Sequence, residues 1–131
     1  MTAAVASATD AVRPHPFFSP VRLEDGFAFV SGQMPFDAQL RITGEGVAAQ
    51  TQVCLERIDG ILQTVGMGLG DVVKTTVWLQ KVEDFAEFNR SYEAVLRART
   101  DRAPARSTVR ADLMVPGALV EIEAIARRTT A

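Results

Sequence analysis

Reactive side chains gather in two short stretches near the C-terminus. Arg106, Thr108, Arg110 and Asp112 fall at every second position of one, and Glu121 and Glu123 at every second position of the other. Residues two apart on a strand share a face, so each stretch would present its polar set to one side. A fixed guanidinium recognises a carboxylate through two parallel N–H···O bonds, and a carboxylate beside it can orient a water and take its proton. Other chemistry is scarce. His15 and Cys54 are the only histidine and cysteine, which excludes an internal disulfide and a Cys-clustered zinc site, and no metal is expected. A Ser-His-Asp or Cys-His arrangement would need His15, between Pro14 and Pro16 in an expected loop. Neither GxGxxG nor GxxxxGK(S/T) occurs, so no cofactor is expected.

Charge and length narrow the partners. With 14 basic and 16 acidic residues the chain carries a formal charge of -2 and has no basic field to hold a phosphate backbone. Its 131 residues, 47% of them apolar, suit one domain with one core. Residues 1–16 read as a flexible lead-in and 17–131 as the single folded domain. The start lacks a basic region and an apolar run, so it is not read as a secretory signal. No stretch approaches the ~20 apolar residues of a membrane span, and a cytoplasmic location is expected.

Elements that could position the polar stretches follow from periodicity. Two short strands are expected between Val21 and Val30, around a Glu24-Asp25-Gly26 turn, running into Ser31-Gly32-Gln33-Met34-Pro35. Val47, Thr51, Leu55, Ile58, Leu62 and Val65 mark one stripe of a long helix, with Cys54 beside it as a small core hydrophobe. Val72–Gln80 is rich in β-branched residues and reads as a strand with Val73, Thr75, Val77 and Leu79 on one face and Trp78 on the other. Asp84 and Glu87 match a capping box ahead of Phe85, Phe88, Tyr92 and Leu96, the stripe of a second helix. The last third reads as a hairpin, Ala105–Leu113 and Leu119–Arg127 about Pro116-Gly117. That register sets Arg110 opposite Glu121 and Thr108 opposite Glu123 on a common face. The whole is an α+β layer: a mixed β-sheet with two helices on one face, the other face needing cover, expected from another subunit.

Two readings of the charged face are open. Pattern alone favours a solvated face whose ion pairs are worth only ~0–1 kcal/mol each. Against it stand Pro104, fixing the approach to Arg106, and the expected cover over so small a sheet.

Five segments together are more specific. Ser31-Gly32-Gln33-Met34-Pro35, Asp71-Val72-Val73-Lys74-Thr75-Thr76-Val77, Phe88-Asn89-Arg90-Ser91-Tyr92-Glu93, Pro104-Ala105-Arg106-Ser107 and Glu121-Ile122-Glu123-Ala124-Ile125-Ala126 resemble, in order, the RidA/YjgF family of reactive-intermediate deaminases. The resemblance runs from about Phe17 to Arg128. It implies a chorismate-mutase-like fold assembled as a homotrimer with ligand clefts between subunits. It also implies that Arg106 binds the substrate carboxylate, that Glu121 orients the attacking water, and that Phe18, Ser31, Gly32, Asn89 and Thr108 line or support the cleft. Phe18 stands where the best-studied branch has a tyrosine, and Thr108 where it has a cysteine. The first keeps an aromatic wall without its hydroxyl, and the second keeps a hydrogen-bonding group without a thiol.

The implied activity is hydrolytic deamination of 2-imino or enamine acids to 2-oxo acids and ammonia. Alternatives are an aminomuconate-type enamine deaminase of aromatic degradation, and a trimer that binds small carboxylates, or acts as a chaperone, without turnover. Endoribonuclease activity, also ascribed to family members, fits the acidic balance and the single histidine poorly.

Overall fold

Residues 16–128 are described by a computed structural model; His15 and all of the expected lead-in except Pro16 lie outside them. Four residues, Val21–Glu24, form β1, and Phe27–Gln33 form β2 across a tight turn in which Asp25 and Gly26 both take positive φ. The long stripe folds as α1, Gly46–Gln63, and buries Val47, Thr51, Cys54, Leu55, Ile58 and Leu62. After a short 3-10 turn come β3, Val72–Leu79, then α2, Phe85–Arg97, β4, Ala105–Arg110, and β5, Val120–Arg127.

The five strands lie in the order β1-β2-β5-β3-β4. All neighbours are antiparallel except β3 and β4, which are parallel. Both helices cover one face. Ala28, Val30, Val77, Leu79, Val120, Ile122, Ala124 and Ala126 point into the core with Leu55, Ile58, Leu62 and Phe88. No element among the described residues covers the opposite face, and Phe29, Val73 and Val109 are each more than two-fifths exposed.

Three sequence expectations need correction. The last two strands are not a hairpin, because β3 lies between β4 and β5. Residues 111–119 are long enough to carry the chain over the end of β3. Ala111 N–H donates to Leu79 O, Gln80 N–H donates to Leu119 O, and the Gln80 side-chain oxygen accepts from Leu113 N–H. Glu121 therefore faces Trp78 and Glu123 faces Thr76, while Thr108 faces Val77 and Arg110 faces Leu79. Secondly, an irregularity between Val72 and Lys74 turns Val73 outward and Val72 inward, leaving Thr75, Val77 and Leu79 on the core face as expected. Thirdly, Asp84 makes no capping bond: its backbone is already helical after a 3-10 turn over Val82–Asp84, so its carboxylate cannot reach back to the first free amides as an extended cap would.

Candidate active site

The topology places the chemistry-bearing residues in two groups on opposite faces of the sheet. Parallel pairing sets Arg106 level with Thr75, a core-facing residue, so Arg106 projects to the helix-covered side. Glu121 alternates with buried Val120 and Ile122 and projects from the open side. A single chain thus does not join them, contrary to the common face expected from a hairpin register.

Around Arg106 the surroundings are rigid. Its guanidinium carbon lies 4.9 Å from the ring centre of Tyr92, 5.2 Å from Phe88 and 6.0 Å from Phe85. These rings come from one face of α2, where the three- and four-residue spacing stacks them under β4. Asn89 lies on the same helix, and its Oδ1 accepts from an Arg106 Nη at 2.8 Å. Beneath, the Tyr92 hydroxyl and the Thr75 Oγ1 share a buried hydrogen bond of 2.6 Å, which fixes the ring. Among the described residues Arg106 has no ion-pair partner. A cation over aromatic faces gains ~0.5–2 kcal/mol and stays planar and oriented, while its other N–H groups remain for a ligand. Asn89, Tyr92 and Arg106 border a hollow of about 370 Å³.

Thr108 lies two residues beyond Arg106 on the same face but lines a separate, smaller hollow with Phe85, Leu79 and Val82. Among the described residues its buried hydroxyl has no hydrogen-bond partner.

On the open face the second group forms where β2 bulges. Ser31 and Gly32 together oppose Glu123, because the ladder resumes with Gln33 opposite Ile122. Ser31 ties down the segment before β1: its Oγ donates to Ser19 O at 2.6 Å and its N–H to Pro20 O at 3.0 Å. That segment brings Phe18, two-thirds exposed, to a hollow of about 660 Å³ with Phe29, Ser31 and Glu123. Gly32 leaves room for the Glu121 carboxylate where it stands: a Cβ there would collide with it, and the carboxylate would have to swing aside. Half-burial pushes the Glu121 carboxyl above its ordinary value, and the like charge of Glu123 adds to the rise. Among the described residues no cation pairs with Glu121.

Two supports escaped the sequence reading. Gln33, buried on the core side, donates from its amide to Ser31 O at 2.9 Å and accepts from Arg57 Nε of α1 at 3.1 Å. This bridge secures the bulge to the helix layer, and no short-range pattern links Arg57 to Gln33. The aromatic bed of Arg106 was visible only as an apolar helix stripe. Cys54 fits its reading as a core residue: it is fully buried, and loss of solvent drives its thiol value up.

The fold agrees with that of known proteins. The profile of the family described as Endoribonuclease L-PSP matches residues 8–128. The chain is 40% identical over 98 residues to the 2-iminobutanoate/2-iminopropanoate deaminase of Salmonella typhimurium, covering 75% of this chain and 77% of that one. The crystal structure of the YjgF gene product of Escherichia coli superposes with a TM-score of 0.79 at 33% identity, covering 86% of this chain and 88% of the other. That of Escherichia coli TdcF with bound serine gives 0.81 at 29%, covering 88% and 91%. The chain belongs to the RidA/YjgF family.

Proposed function

We propose that the protein hydrolyses 2-imino acids, or their enamine tautomers, to 2-oxo acids and ammonia. The observation that carries this reading is the Arg106 guanidinium: oriented by Asn89, bedded on three rings and unpaired by any acid of its own described chain. Such a group is suited to clamp a carboxylate through two bonds and so to fix the neighbouring C=N carbon. Water adds to that carbon as its proton passes to the Glu121 carboxylate. Glu121 returns that proton to the nitrogen, giving an amino alcohol; the new hydroxyl then gives up its own proton, which passes by way of the carboxylate to the amino group, and the C–N bond breaks as C=O forms and ammonia leaves. A carboxyl value raised by burial suits this shuttle, since it brings the group closer to working pH.

Separation of the two groups favours a site shared between subunits. β4, with Arg106, is one edge of the sheet, and Phe18 leads into β1 at the other edge. Two different patches that complete each other make a head-to-tail contact, which closes as a ring, in line with a homotrimer whose clefts lie between subunits. Phe18, Ser31, Gly32 and Glu121 of one subunit would then meet Arg106 and Asn89 of the next. Thr108 acts one step back, behind Phe85.

The family description also names an endoribonuclease. Around the hollow beside Arg106 the two cations, Arg97 and Arg106, are matched by Glu93 and Asp101, which leaves no cationic excess to hold a phosphate backbone.

The test follows loss of imines made in situ by an amino-acid oxidase. Wild type should accelerate their disappearance, and Arg106→Ala and Glu121→Gln should each lose ~100-fold or more in kcat/KM. Full activity in Arg106→Ala would end the assignment. Carboxylates that raise the melting temperature through Arg106 while no imine is consumed would mark a binding protein instead.

A further inference from the structure

The hollow that Arg106 borders extends beyond the guanidinium to Leu96 and Ala103. Its floor is apolar, with Tyr92 and Leu96 only 8% and 5% exposed. At its rim Ala103 contributes no more than a methyl group. The volume, about 370 Å³, is many times the ~30 Å³ that one water occupies in the liquid. Charge around the rim does not invite a second anion. Arg97 Nε is already paired with Glu93 at 2.6 Å, and the Thr100 hydroxyl oxygen accepts from Arg102 N–H at 3.0 Å. Asp101 is a second acid beside the same Arg97. Once a bound carboxylate has neutralised Arg106, acid is in excess.

We infer that this hollow is the side-chain subsite: it takes an apolar side chain of several carbons from a 2-imino monocarboxylate, and Ala103 sets how long that chain can be. The inference rests on the proposed role of Arg106 in holding the substrate carboxylate. Carboxylate and side chain are both attached to C2 of such a substrate. Clamping one at Arg106 therefore delivers the other to the space beside it, while the C=N group turns to the water. Each methylene entering the hollow leaves water for the Tyr92 and Leu96 surface. A second carboxylate would instead lose its hydration above an apolar floor, next to Glu93 and Asp101 and without a partner. Dicarboxylic imines and enamines, the aminomuconate type included, are disfavoured on that ground.

The experiment compares kcat/KM for the imines generated from alanine, norleucine and glutamate, in wild type and in Ala103→Phe, whose ring would fill the hollow from its exposed rim. Wild type should prefer the norleucine imine to the alanine imine by about tenfold or more, and should use the glutamate imine poorly. Ala103→Phe should bring the norleucine-to-alanine ratio down by about tenfold. Should Ala103→Phe melt well below wild type, Ala103→Leu gives the same reading with a smaller drop. An unchanged ratio in a variant that melts like wild type overturns the subsite, as does equal use of glutamate and norleucine imines. If wild type accelerates the loss of no imine at all, the functional reading falls first and takes the subsite with it.

Discussion

The two halves of the site are built by opposite means. Arg106 is held by what touches it: three aromatic rings, the Asn89 carbonyl and, below, the Tyr92–Thr75 hydrogen bond. Glu121 is placed by what is left out, the side chain of Gly32, at a bulge that Gln33 and Arg57 secure from the core side. A cation that must present a fixed fork gains from packing. A carboxylate that must exchange protons gains from partial burial without a partner, because an ion pair would lower the value that burial and Glu123 raise. Rigid recognition and free proton transfer thus belong to different subunits in the proposed assembly.

Breaking the second arrangement should have the larger effect. Gly32→Ala forces the Glu121 carboxylate aside, and a displacement of that kind costs on the order of 100-fold in kcat. Gly32 does not occupy positive φ, so the melting temperature should change little. Normal turnover in Gly32→Ala would mean that the carboxylate position seen here is not the working one.

A smaller change sharpens the electrostatic side. If Glu121 works as the carboxylate, activity falls as pH drops through its raised value, so the acid limb of kcat/KM lies above the ordinary glutamate range. Glu123→Gln removes the lesser of the two causes of that rise. The limb should move to lower pH while staying above the ordinary value, because the loss of solvent remains. Stability runs the opposite way: a raised carboxyl value makes ionised Glu121 a destabilising group, and the folded chain gains as pH falls through that value. An acid limb unmoved in Glu123→Gln would separate the two carboxylates.

How much of this was written legibly in the sequence differs between the parts. Helices α1 and α2 declared themselves because their apolar residues recur at helical spacing, and β3 because Val72–Leu79 is dense in β-branched residues. Sheet order did not. Pro116-Gly117 is a turn signal, and nearness in sequence suggested that β4 and β5 pair, yet period-2 alternation is blind to which strand lies alongside. The insertion of β3 between them reverses the grouping, sending Arg106, Thr108 and Arg110 to one side and Glu121 and Glu123 to the other. The Arg57–Gln33 bridge joins residues 24 apart, and the Ser31-Gly32 bulge exists only against the still more distant Glu123, so no local pattern encodes either.

If Arg106 and Glu121 act together only across subunits, mixing two inactive variants should restore activity. Arg106→Ala and Glu121→Gln chains co-expressed in equal amounts should assort at random, leaving about a quarter of the interfaces with both native groups. The mixture should show roughly a quarter of wild-type activity, although either variant alone is inactive. Activity no higher than that of the separate variants, in mixtures shown to contain both chains in one assembly, would contradict action across subunits.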